Sequence, residues 1–114
     1  MGPSMSNLPD ADKVGKALHY LATTDVEFAK LSAAVKALEH KGKVIRATTY
    51  LSSEGTIAER EARSLTSLAY KEFLGDLENT ITDRETLAAH RKLAELNIDV
   101  WRSLNSARSK GQII

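Results

Sequence analysis

Three histidines, His19, His40 and His90, are the side chains of this 114-residue chain best placed by intrinsic pKa to move protons or hold a metal near neutral pH. They lie far apart, and none shares a helical i, i+4 spacing with another ligand in a pattern that recurs across helices, so a zinc-type site has no sequence basis and all three read as surface residues. Glu59-Arg60-Glu61 offers two carboxylates. Successive helical residues point about 100° apart, so these two do not converge on one substrate as a paired acid and base. Serine is plentiful but none sits in a Gly-x-Ser-x-Gly elbow, and the six glycines form neither a phosphate-binding loop nor a dinucleotide fingerprint. With no cysteine, thiolate nucleophiles, thiolate metal sites and disulfides drop out together. The expectation is a protein that is not an enzyme and uses no cofactor and no metal.

The C-terminal stretch holds more. Trp101, the one tryptophan, lies near Arg91, Lys92, Arg102, Arg108 and Lys110, and an indole among cations is the combination that stacks on a base while contacting phosphate. The competing expectation is that Trp101 packs, because it falls on an apolar stripe with Ala94, Ile98 and Leu104, and cations in a last helical turn follow from the helix dipole alone.

The elements that carry these residues are expected to be helices. The prolines are Pro3 and Pro9, so everything after them lacks a helix breaker of that kind, and aromatic residues make up 5% of the chain, with no Asn-Gly or Asp-Gly turn. The predicted fold is all-α: an elongated, coiled-coil-like antiparallel helical hairpin with a short N-terminal helix and a short helical elbow. The N-terminal helix is expected from about Asp10 to Leu21. Thr24-Asp25-Val26-Glu27 has the form of a capping box and predicts a second helix start. Phe28, Leu31, Val35, Leu38, Gly42, Ile45 and Thr49 then alternate by 3 and 4, the narrow seam of a helical hairpin. Gly55 predicts a helix end, Thr56 and Glu59 a new capping box, and Thr66 or Ser67 a cap for the last helix, which runs from about Leu68 with no firm stop before Gly111. Some 40 helical residues would span roughly 60 Å. Thr82-Asp83-Arg84-Glu85 is a further capping pattern, with a continuous helix the favoured reading.

Residues 10–110 are expected as one helical domain, 1–9 as a tag remnant and disordered N-terminus, and 111–114 as a flexible tail. The apolar fraction of 42% and the charged fraction of 27% suit a folded chain, and no apolar run approaches the roughly 20 residues that span a bilayer, so no membrane role and a cytoplasmic location are expected. Charge comes in blocks. Lys30, Lys36, Lys41, Lys43 and Arg46 outweigh the acids around them, while Glu72, Asp76, Glu78, Asp83 and Glu85 dominate residues 71–85. Folding the hairpin on its elbow is expected to set Arg46 beside Glu72, Lys43 beside Asp76, and Glu27 beside Arg91. Beyond that point the last helix outruns its partner, and Ala94, Ile98, Trp101 and Leu104 are expected to be covered either by the first helix or by another chain, which makes them the candidate interface for another copy or a partner protein.

Lys92-Leu93-Ala94-Glu95-Leu96, Trp101-Arg102-Ser103-Leu104-Asn105-Ser106-Ala107-Arg108, Ala58-Glu59-Arg60-Glu61-Ala62 and Tyr70-Lys71-Glu72-Phe73-Leu74 resemble stretches of small helical proteins of unassigned function encoded by bacteriophages and prophages. The resemblance implies an accessory role in DNA metabolism, because such genes often lie near recombination and single-strand-binding genes, and it transfers no site residue. Three functions follow as expectations: an oligomeric, noncatalytic protein-interaction module; a nucleic-acid-binding protein using Arg91, Lys92, Arg102, Arg108 and Lys110; and a phage structural subunit.

Overall fold

Gly55 and Gly111 mark two places where helical structure stops, and they are the two described glycines with positive φ, 112° and 70°. The computed structural model describes residues 8–111. Among them it holds three helices, α1 (Ala11–Ser52), α2 (Ile57–Thr66) and α3 (Leu68–Ser109), and no strand. The fold is an all-α antiparallel hairpin in which α2 is the elbow. Of the segments expected as a tag remnant with a disordered N-terminus and as a flexible tail, residues 1–7 and 112–114 lie outside the described residues. Pro9, expected in a disordered lead, is buried.

Local chemistry sets the boundaries. The Asp10 carboxylate accepts from the Lys13 amide at 2.8 Å and so caps α1. Thr56 caps α2 by accepting from the Glu59 amide at 3.2 Å, and Ser67 caps α3 by accepting from the Tyr70 amide at 3.2 Å. α1 carries no basic residue in its last turn. Arginines of α2 supply that charge instead: Arg60 donates through Nε to the Ser53 carbonyl at 3.0 Å, and Arg63 donates to the Glu54 carbonyl. Arg60 also lies 4.7 Å over the Tyr50 ring, which fixes the guanidinium it uses for this bond.

The separate N-terminal helix is not formed: α1 runs unbroken through Thr24. The Thr24 hydroxyl donates to the Tyr20 carbonyl at 2.7 Å within the same helix, and nothing before it ends the helix whose successor it would cap. α3 runs unbroken through Thr82. Both long helices therefore have 42 residues, and the Ala94–Ile98 part of the last helix, expected to outrun its partner, lies against Val14 and Ala17 of α1.

The chain divides into two compact units, one comprising described residues up to Phe28 and from Thr86, the other Ala29–Glu85. In the first, Val14, Ala17, Ala94 and Ile98 form the buried cluster, with Tyr20, Leu21 and Trp101 packed against it. In the second, Val35 and Phe73 are the buried apolar residues. The 3–4 seam of α1 is real and longer than expected. Val14, Ala17, Leu21 and Thr24 extend it towards the N-terminus, and every seam position from Val14 to Thr49 is buried or half-buried. On α3 the matching series is Tyr70, Phe73, Leu77, Thr80, Arg84, Leu87, Arg91, Ala94, Ile98, Trp101 and Asn105, likewise buried or half-buried throughout. Several of these positions are polar, so the apolar core is thin and each large member of it matters.

Gly42, costly in a helix by about 1 kcal/mol relative to Ala, is required here. A Cβ at this position would lie 2.3 Å from Cζ of Phe73 and 2.6 Å from Cε2, so the ring occupies the space that a side chain would take.

Candidate functional site

Arg91, expected at a phosphate, is committed inside the first unit. Its guanidinium donates to the Leu21 carbonyl at 2.9 Å, to the Thr24 hydroxyl at 2.8 Å and to the Asp25 carboxylate at 3.1 Å, and lies 5.4 Å over the Phe28 ring. Its side chain is 15% exposed. The pairing carboxylate is thus Asp25, while Glu27, the expected partner, is exposed and makes no ion pair. Lys43 and Arg46 likewise make no ion pair with Asp76 or Glu72. They line shallow grooves instead, one with Ala47, Tyr50, Glu61 and Ser64, the other with Phe73 and Leu77.

The expected interface divides the same way. Ala94 and Ile98 are buried against α1, and Trp101 and Leu104 are half-buried, so the first two cannot meet another chain without opening the fold. The physical reason is that α1 starts at Ala11 and supplies Val14 and Ala17 as their cover. His19, His40 and His90 are exposed, and among the described residues no group of three or more His, Asp or Glu side chains is placed to hold a metal. No helix there is long and apolar enough to cross a membrane.

Among the exposed apolar residues of the structure, Leu93, Leu96 and Val100 belong to a second stripe on α3. Ala89, Leu93, Leu96, Val100, Ser103 and Ala107 repeat the 4–3 alternation on the side of the helix roughly opposite its internal seam. Leu93 is 60% exposed, Leu96 50% and Val100 42%. Exposed leucines scattered singly are ordinary, but three large apolar residues in heptad register are the pattern of a helix built to touch two neighbours. Lys92 and Asp99 flank the stripe on one side, and His90, Asn97 and Leu104 on the other. Next to it an open groove is lined by Lys13, Lys16 and Tyr20 of α1 and by His90, Leu93 and Asn97 of α3. This stripe was legible in the sequence as a second 3–4 series. It escapes notice when all apolar residues of the last helix are assigned to a single face.

Of the expected nucleic-acid contacts, Lys92, Arg102, Arg108 and Lys110 are exposed. Arg102 and Lys110 share a shallow depression with Ser103, Ser106 and Ala107 on the last turns of α3. Comparison with protein-family models, with curated proteins and with solved structures finds no match.

Proposed function

We propose that this chain is a noncatalytic helical interaction module that assembles by laying the outer stripe of α3 against another helix. The observation that supports the reading is the heptad spacing of Leu93, Leu96 and Val100 together with their exposure. A solvent-facing surface does not need that period, whereas a second helix does. An accessory place in phage DNA metabolism is the part of the proposal that rests on sequence resemblance alone. The test is molar mass in solution at low and high salt for the chain and for Leu96→Glu. Assembly that persists in 1 M salt and is lost in Leu96→Glu, with helicity unchanged, supports the stripe. The helix tolerates glutamate well, and Leu96 is half exposed, so the substitution leaves the fold intact. Assembly indifferent to Leu96→Glu removes the stripe from the function.

A second reading is favoured by the depression at Arg102, Ser103, Ser106 and Lys110, whose two cations make no ion pair among the described residues. It is direct binding of a nucleic-acid backbone. Against it stands the negative end of the α3 dipole, which these cations offset before any phosphate arrives. If three phosphates are neutralised, log affinity for single-stranded DNA should fall against log salt with a slope of about −2. Arg102→Gln should make the slope shallower. A slope near zero excludes this reading.

A further inference from the structure

We infer that the helix fitting the outer stripe is the same segment of a second copy, running antiparallel, in a register fixed by Lys92 and Asp99. This rests on the proposal that the stripe binds a helix, and goes beyond it by naming the occupant and its alignment.

Charge and register together select this occupant. In an antiparallel pair each apolar residue of one stripe position faces a residue of the other position on its neighbour, so the possible alignments are spaced a heptad apart. In one alignment Leu93 faces Leu96 of the second copy, and Ala89 faces Val100. Each of these layers occurs twice because the contact is isologous. The flanking residues then meet as Lys92 against Asp99, also twice. Moving the alignment by one heptad sets Leu93 against Ser103 and Leu96 against Val100, so the apolar layers are comparable, but it brings the two Asp99 carboxylates together and trades an attraction for a repulsion. A parallel pair sets no cation of this flank against an acid.

Both residues are free for the role, since Lys92 and Asp99 are exposed and make no ion pair or side-chain hydrogen bond among the described residues. Lys92 belongs to the basic C-terminal block and Asp99 is an acid interrupting it. Within one chain they lie seven residues apart along the helix and do not reach each other. Charged pairs at the rim of a contact contribute little to affinity and much to alignment. A contact of about four helical turns is at the small end of specific interfaces, so a dissociation constant in the range of roughly 10–100 µM is expected.

The experiment is sedimentation equilibrium of the full chain from micromolar to millimolar concentration, with Lys92→Asp, Asp99→Lys and the double exchange. Each single reversal converts two attractions into two repulsions, and should weaken dimerisation about tenfold. The double exchange restores both pairs and should return affinity to within about twofold of the parent. Orientation is read separately from Leu93→Cys and Leu96→Cys, in a chain with no cysteine of its own. Mixed under oxidation, the two variants should cross-link to each other, and neither should cross-link to itself. A double exchange as weak as the single variants, self-cross-linking of either cysteine variant, or a parent that is monomeric at millimolar concentration overturns the inference. If Leu96→Glu abolishes the dimer but the exchange fails to rescue it, the alignment is wrong and the stripe survives. If Leu96→Glu leaves the dimer intact, the stripe itself falls.

Discussion

Phe73→Ala is expected to cost about 3–4 kcal/mol of unfolding free energy, and in that background Gly42→Ala, destabilising by itself, should become stabilising. Phe73 is 6% exposed, and with Val35 it supplies the buried apolar side chains of the Ala29–Glu85 unit. Removing the ring therefore leaves a cavity with little nearby that can collapse into it. Gly42→Ala in the parent chain has two opposed effects. Helix propensity favours alanine by about 1 kcal/mol, while a methyl carbon 2.3 Å from Cζ of Phe73 forces the ring aside at a cost of about 1–3 kcal/mol. Packing wins, because three ring atoms lie within 3.0 Å of the new carbon and a buried aromatic ring has little freedom to withdraw. Without the ring the steric cost disappears and the propensity gain remains. Urea denaturation of the four chains closes the cycle, with a coupling energy of about 2 kcal/mol expected. A Gly42→Ala chain more stable than its parent would show that the close approach does not exist in solution.

The same contact explains which parts of the fold could be read from sequence. Thr56, Ser67 and Gly111 act through bonds spanning three or four residues, and Gly55 through its own positive φ, so the ends they set are visible in the local sequence. The seam of α1 is visible for a related reason: its period is a property of one helix, whatever lies opposite. Pairing between helices is different. Aligning the hairpin by its charge blocks sets Arg46 beside Glu72 and Arg91 beside Glu27, yet Arg91 meets Asp25 and the first pair does not form. Exposed ion pairs are worth about 0.2–1 kcal/mol each, less than seating one buried ring, so packing contacts such as Phe73 on Gly42 outweigh the charge blocks in setting the alignment. A glycine in a helical seam, taken alone, shows only weakness. Its purpose depends on a ring 31 residues away.

The capping pattern at Thr24 starts no helix for a similar cause. A capping box stabilises a helix start but does not create one where the preceding helix has no reason to end, and residues 16–23, just before Thr24, contain neither glycine nor proline. Reading the break as real shortened the cover available to α3 and turned Ala94 and Ile98 into an apparent interface. The exposed stripe at Leu93, Leu96 and Val100 lies on the same helix but on another face. The expected interface and the exposed stripe thus share one segment of the chain and differ by a rotation about the helix axis.

Arg91→Ala should cost about 2–3 kcal/mol, while Asp25→Asn costs under about 1 kcal/mol, although the two residues form an ion pair. The difference follows from exposure and from the number of acceptors. Asp25 has a side chain 75% exposed, so the attraction is screened by water. Arg91, at 15% exposure, also bonds the Leu21 carbonyl and the Thr24 hydroxyl and covers Phe28, and none of those contacts requires the carboxylate. Arg91→Lys keeps the charge but has a single nitrogen to offer, which cannot reach three oxygens in the geometry of a guanidinium, so it should recover less than half of the loss. Because two of the three acceptors are uncharged, the cost of Arg91→Ala should change little between 0.1 and 1 M salt. Denaturation midpoints at both salt concentrations read this directly. An Arg91→Ala loss that vanishes at high salt, or an Asp25→Asn loss of equal size, would make the ion pair the main term and leave Arg91 open to the phosphate role that its position in the basic block first suggested.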